Sequence, residues 1–244
     1  MSAKEPRHST GKQGGAKASF ALLWGEQGQP GRGPKPSLTA GRIAEAAIRI
    51  ADKEGLGAVS LARVAKEFDV TAMALYRYVP GKAELIDLMV DLAIGPSVAV
   101  ADIPGGWRPQ LTEWACQCLA VYHRHPWILT ATGTRRQIMG PNQLSWLDTA
   151  LGALAGTGLS APQRHDTFLL IVGHVRNVAQ QAVERDEAAN EEWARLAADV
   201  LERHADRFPA LTSAIAEGAF MSQSGDALGF GLERIMDGVA ALLP

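Results

Sequence analysis

The chain has almost no means of holding itself together covalently, with two cysteines, Cys116 and Cys118, in 244 residues. Two positions apart on a helix, they project about 200° from each other, so they neither clasp one metal nor pair with one another. They read as buried or half-buried thiols in a reducing cytoplasm. No apolar run approaches the length of a bilayer span. The charged-then-apolar order and cleavage site of a secretory signal are missing, and Phe20-Ala-Leu-Leu-Trp24 is too short for either role. A cytoplasmic protein without membrane association is expected. Alternating β-branched runs are scarce, whereas hydrophobic residues make up 47% of the chain with many Ala and Leu, which points to an all-α fold. Chemical equipment is missing too. No Ser/His/Asp set stands in a motif context, no Gly-rich phosphate loop is present, and no helix carries a His–x3–His spacing. His123, His125, His165, His174 and His204 are scattered and read as surface or core residues. Neither catalysis nor a cofactor nor a metal is expected.

A strong overall charge is absent as well, the net value being -2, which looks unpromising for a nucleic-acid partner until it is resolved along the chain. Residues 1–36 carry six basic side chains (Lys4, Arg7, Lys12, Lys17, Arg32, Lys35) against Glu5 and Glu26, while Glu184, Asp186, Glu187, Glu191 and Glu192 cluster far downstream. Affinity for DNA then depends on a local basic face. The first 36 residues are rich in Gly, Lys, Ser and Gln and end in Gln29-Pro-Gly-Arg-Gly-Pro-Lys-Pro36. Such a segment buries too little apolar surface to offset its ordering entropy, so a largely disordered basic extension is expected, with Phe20 to Trp24 able to form a short helix docked on the body. It serves as a tether or as an arm touching phosphates.

What is present is concentrated between Ser60 and Lys82. The spacing predicts a helix from a capping Ser60 to about Phe68, a turn at Phe68-Asp69-Val70, and a second helix from Thr71 to about Tyr78. In the second helix Val70 and Leu75 can face inward, leaving Thr71, Ala72, Met73, Tyr76 and Arg77 outside. Two small residues, one flexible apolar residue and three hydrogen-bonding groups suit a helix lying in a major groove. A solvated helical hairpin is the plainer reading, and the flanks argue against it. Ile43, Ala47, Ile50 and Ala51 mark a preceding helix that stops at Gly55, and Pro80-Gly-Lys-Ala-Glu-Leu85 opens a following one.

With these flanks the stretch from Thr39-Ala-Gly-Arg-Ile-Ala-Glu-Ala-Ala47 to Leu85 resembles the DNA-binding domain of the TetR family of bacterial transcriptional repressors, most densely in Ala74-Leu-Tyr-Arg-Tyr-Val-Pro-Gly-Lys82. Gly106-Trp-Arg108, His125-Pro-Trp127, Gly140-Pro-Asn142 and Gly229-Phe-Gly-Leu-Glu-Arg-Ile-Met-Asp-Gly238 resemble the tetracycline-repressor-type effector domain. The resemblance implies a helix-turn-helix domain of three helices over 37–95 and a larger helical domain for ligand binding and dimerisation over 96–244. It implies DNA contacts from Ser60, Thr71, Ala72, Met73, Tyr76, Arg77, Tyr78 and Lys82. Ala62 stands where some relatives have a base-reading Arg, and Arg63 substitutes only if its helix rotates. Relatives that bind tetracycline hold drug and magnesium with polar side chains. In an ungapped alignment those positions fall near Val98, Trp114 and Ala131, so the drug-and-metal apparatus is absent and a largely apolar ligand is implied.

Beyond a Gly/Pro-rich break at residues 95–106, helices are expected near 107–123, 125–134, 141–156, 161–184, 187–206 and 225–243. Trp107, Trp114, Cys118, Trp127, Met139, Trp146 and Phe168 are candidates to line a ligand cavity, with plain core as the alternative for each. Leu228, Leu232, Ile235, Met236, Val239 and Leu242 recur at spacings of three and four, a stripe expected to form a homodimer interface with the 161–184 helix as a four-helix bundle. The expected function is a homodimeric repressor released from a palindromic operator on double-stranded DNA by a small-molecule effector. An activator, or a regulator without a small ligand, is the alternative within regulation. A helical enzyme is the alternative from another class.

Overall fold

The computed structural model describes residues 10–25, 38–133, 138–183, 195, 196, 198–218 and 226–243. Among these there is no strand, in keeping with the all-α expectation. The helices are α1 (Thr10–Leu23), α2 (Ala40–Glu54), α3 (Leu61–Lys66), α4 (Ala72–Leu75), α5 (Lys82–Ile94), α6 (Trp107–Arg124), α7 (Trp127–Gly133), α8 (Pro141–Ala153), α9 (Ala161–Val183), α10 (Pro209–Ala216) and α11 (Ala227–Ala240). The expected helix near 187–206 is described at residues 195, 196 and 198–206 and is helical through 203, whereas the acidic cluster from Glu184 to Glu192 and the basic residues up to Arg7 and from Arg32 to Lys35 lie outside the described residues.

Local chemistry explains the boundaries of the first helices. Thr39 caps α2 by accepting the Arg42 N–H at 3.2 Å, and Ser60 caps α3 by accepting the Arg63 N–H at 3.1 Å. Gly55 stops α2 at φ 81°, a conformation that costs a glycine little. The inward face of α2 buries Ile43, Ala44, Ala46, Ala47, Ile50 and Ala51, each isoleucine contributing about 1.5–3 kcal/mol of burial energy.

Helix α5 organises the molecule. It packs on α1, α2, α7 and α8, and one buried apolar cluster runs from Ile43 through Leu85, Met89 and Trp114 to Val239. Three carboxylates, Glu84, Asp87 and Asp91, are buried along α5, an arrangement that needs polar partners. Helix α1 supplies one, since Ser19 Oγ donates to Asp87 Oδ2 at 2.5 Å with both residues buried. The expectation of a disordered extension is corrected here for residues 10–25. The predicted docking at Phe20 to Trp24 is part of a longer helix, in which Ser19, Leu22 and Leu23 are buried while Phe20 and Trp24 stay exposed. Gly15 lets α1 come close enough that a Cβ there would lie 3.3 Å from Glu84 Oε1.

Around α5 the remaining helices form a body in which α6 packs on α7, α8, α9 and α11, and α9 packs on α8 and α11. Gly231 of α11 makes the last of these contacts possible, because a Cβ there would overlap the His174 ring of α9, whose Nε2 also meets the Leu228 carbonyl at 3.1 Å.

Candidate reading head and effector cavity

The turn between α3 and α4 is sharp because Asp69 adopts φ 53°, a left-handed conformation that Asp tolerates better than most residues. Leu75 is fully buried and anchors α4, but Val70 is 39% exposed, which corrects its expected inward position. The outer face presents Thr71, Met73, Tyr76, Arg77 and Lys82, all exposed, with Ala72 and Tyr78 partly buried. Met73 at 75% exposure is no core residue, and Tyr76 at 48% has its ring half free. Tyr78 packs against the core. Arg63 does not join this face. Its guanidinium is held by Glu67 at 2.5 Å and Glu54 at 3.3 Å, which corrects its expected reach toward a base. Its helix would have to give up both carboxylates first.

The reading head is also fastened to the body. Asp52 of α2 takes the Trp127 indole N–H at 2.7 Å and meets His125 Nδ1 at 2.7 Å, both on the same Oδ1. Trp127 is thereby committed to the junction of head and body. At the other end of α5, Asp91 holds the start of α8. The capping position there is Gly140, which has no side-chain acceptor, and the Asp91 carboxylate takes its place by accepting the Gln143 N–H at 3.0 Å and the Asn142 N–H at 3.4 Å. The Asn142 amide donates in turn to the Asp91 carbonyl at 3.0 Å. A Cβ on Gly140 would overlap the Asp91 carboxylate, so only glycine fits. Burial pushes the Asp91 carboxyl up from its ordinary value, with these hydrogen bonds opposing.

Between α5, α6, α8 and α9 lies an open-mouthed cavity of about 120 Å³. Helix α6 contributes Trp114, Cys118, Val121 and Tyr122, and α9 contributes Phe168 and Val172. Met139, Gln143, Trp146 and Leu147 close the α8 side, and Ile94 of α5 completes the wall. The ring of Trp114 meets Trp146 at 5.7 Å and Phe168 at 5.9 Å, both edge to face. Two indole hydrogens are spent on backbone, Trp114 Nε1 on the Trp146 carbonyl at 3.0 Å and Trp146 Nε1 on the Gly95 carbonyl at 3.1 Å.

Of the residues expected to line a cavity, Trp114, Cys118, Met139, Trp146 and Phe168 do so. Trp107 and Trp127 do not, which corrects both. Trp107 lies at the start of α6 under the Arg108 guanidinium, 5.0 Å from the ring centroid. Sequence reasoning missed Tyr122 and Val172, each one helical turn beyond a residue it had named or its packing partner. It also missed Ile94, Val121, Gln143 and Leu147. On α11, Leu232, Met236 and Val239 are buried against the α6 and α9 of their own subunit, which corrects their assignment to a subunit interface. Leu228 and Ile235 are partly buried against the same core. The large apolar side chains left open on α9 and α11 are Leu169, Leu170 and Phe230, with Leu242 just beyond the end of α11. Among the described residues no cluster of side chains could hold a metal, and no helix is long and apolar enough to cross a membrane.

Comparison with known proteins agrees with this geometry. Residues 43–89 match the family described as bacterial regulatory proteins, tetR family, and residues 101–243 match the tetracyclin repressor-like C-terminal domain. The HTH-type transcriptional repressor DrrR1 of Streptomyces coeruleorubidus is 39% identical over 243 residues, covering 96% of this chain and 89% of its own. An HTH-type transcriptional regulator of Saccharopolyspora erythraea is 27% identical over 79% of each chain. Among solved structures, the TetR family protein ActR of Streptomyces coelicolor in complex with (S)-DNPA superposes with a TM-score of 0.73 at 26% identity, over 85% of this chain and 99% of that one. The same protein in complex with actinorhodin gives 0.72 at 27% identity, over 85% and 98%.

Proposed function

The chain belongs to the TetR family of bacterial transcriptional regulators, and from that premise we propose that it is a homodimeric repressor, released from a palindromic operator by a small, largely apolar ligand. One observation carries the reading. Helix α5 begins at Lys82, beside the exposed face of α4, and ends at Ile94 in the cavity wall. A ligand that favours one packing of the cavity thereby favours one placement of the reading head, which requires only different affinities for the two states.

In this reading Thr71, Ala72 and Met73 enter the groove, Thr71 supplies the hydrogen bond of direct readout, and Tyr76, Arg77 and Lys82 meet phosphates. Two-fold symmetry then matches a palindromic site. The dimer uses the outer faces of α9 and α11. The largely apolar lining supports an apolar ligand, and a structural relative that has been seen with (S)-DNPA and with actinorhodin supports a ligand as such. The protein works where the DNA is, in the cytoplasm.

The test selects operator fragments from random duplex DNA, then titrates the tightest one while a panel of hydrophobic antibiotics and metabolites is screened by tryptophan fluorescence. A compound that quenches Trp114 and Trp146 and lowers operator affinity is expected. Quenching without any loss of operator affinity across the panel would separate the cavity from the switch.

A further inference from the structure

None of the side chains that line the cavity is charged, and most of its polar atoms are already committed. The indole hydrogens of Trp114 and Trp146 go to backbone carbonyls. The Tyr122 hydroxyl accepts from Arg176 Nη1 at 3.3 Å, and Arg176 itself is no part of the lining. Burial pushes the Cys118 thiol up to about 12, so it stays neutral and at most a weak donor. Gln143 is the exception. Its Oε1 accepts the Gly140 N–H at 3.4 Å, but among the described residues its Nε2 has no hydrogen-bond partner.

Gln143 is also held in place. Its backbone N–H donates to Asp91 Oδ1 at 3.0 Å, and its Oε1 closes the first turn of α8 at Gly140. An amide tethered through its oxygen keeps its two N–H hydrogens in a set place, here in a wall it shares with Met139, Trp146 and Leu147. Apolar pockets fix the orientation of a ligand through a small number of such placed polar groups. The space, about 120 Å³, is close to that of a dry cavity of about 150 Å³ that accepts benzene, so one ring fits inside and a larger molecule continues through the open mouth.

We propose that Gln143 selects the effector, its Nε2 donating to the carbonyl oxygen of a neutral aromatic ketone or quinone whose ring lies against Trp114, Trp146 and Phe168. This rests on the reading that the cavity is the effector site. It narrows the ligand from an apolar molecule to one that brings an acceptor. A charged group would find no counter-charge in the lining. A phenol or an amine would bring a hydrogen of its own, and both side-chain oxygens in the lining, Gln143 Oε1 and the Tyr122 hydroxyl, already accept one. A carbonyl brings an acceptor and nothing else. A site built to hydrogen-bond its ligand rejects the analogue lacking that group more sharply than an apolar pocket separates two homologues.

The experiment compares 1-indanone with indane, which share a ring system and differ in the carbonyl, by titration calorimetry on the full chain. The quantity read is the ratio of the two dissociation constants. Gln143→Met keeps the length of the side chain and removes the donor, and it is expected to shift that ratio against the ketone by about tenfold, the worth of one hydrogen bond, with indane bound as before. Gln143→Glu keeps the acceptor that Gly140 uses and lacks the amide hydrogens, so it shifts the ratio the same way without loosening the start of α8. Val172→Trp fills part of the same space from α9 and weakens both probes. A ratio unchanged in both Gln143 variants, with Val172→Trp still weakening both probes, would overturn the role of Gln143 and spare the cavity. Binding of neither probe, or binding unaffected by Val172→Trp, would instead overturn the cavity as the site and the proposal with it.

Discussion

Asp91 shows how much one side chain can be asked to hold. It is buried on α5, yet its carboxylate closes the first turn of α8, where the capping residue is a glycine with nothing to offer. Asp91→Ala would leave the Asn142 and Gln143 N–H groups without their acceptor, at a cost of about 2–4 kcal/mol. A melting point lower by several degrees in a thermal scan is the expected outcome. Gly140→Ala should be comparably damaging, because its Cβ would overlap the same carboxylate. The pH dependence has a definite sign. Burial raises the Asp91 carboxyl above its ordinary value of 3.8, so the native state favours its proton more than the unfolded chain does. Its contribution to stability is fully present below that ordinary value and is lost as pH rises through the raised native one. Asp91→Asn does not titrate, so its deficit relative to the wild type should shrink between pH 4 and pH 7 in urea unfolding. A deficit that grows over that range would reverse the account. The contact itself was not legible in the sequence, where Gly140-Pro-Asn142 stands out as a motif but nothing ties it to Asp91, forty-nine positions earlier than Gly140.

At the scale of elements, legibility followed range. The helix-turn-helix was readable because its signals are local: Ser60 caps, Gly55 stops, and Leu75 is the one deep apolar anchor of α4. The cavity was half readable, because a residue lines it only if its helix turns the right face toward two others. Trp107, Trp114 and Trp127 are indistinguishable by type, and distant partners sort them. Arg108 covers Trp107, Asp52 takes Trp127, and only Trp114 is left to Phe168 and Trp146. Helix α1 was mostly hidden by its Gly- and Lys-rich composition, since what orders it is the buried carboxylate face of α5. The reading head carries its own prediction. Lys82 is exposed at the first turn of α5, so Lys82→Ala should weaken operator binding across sequences and lower the slope of log K against log salt by about one. Thr71→Ala should alter base preference and leave that slope in place. Operator titrations at several salt concentrations distinguish the two, and identical behaviour of both variants would remove the division between phosphate and base contacts.

At the scale of the whole molecule, the amphipathic stripe of α11 could be read but its partner could not. A helix whose apolar face repeats at three and four residues is equally suited to its own core or to a second subunit, and the period is the same in both cases. Burial separates them. Leu232 and Met236 are at most 3% exposed against α6 and α9, whereas Leu170 is 57% and Phe230 66% exposed on the outer sides of α9 and α11. A charge placed at these two kinds of site should therefore have different consequences. Leu232→Asp buries a carboxylate in the subunit's core and is expected to lose helical signal and precipitate. Leu170→Asp combined with Phe230→Asp leaves that core untouched and puts like charges across the proposed two-fold subunit contact. The expected product is a folded monomer, with a helical circular-dichroism spectrum unchanged, the mass of one chain by light scattering, and tight operator binding lost because two linked heads no longer act together. A double variant that stays dimeric and keeps its operator affinity would move the subunit contact away from the outer faces of α9 and α11. If Leu232→Asp also gave a folded monomer, that stripe would face a partner after all, and the packing of α11 on its own α6 and α9 would be the part of the account to abandon.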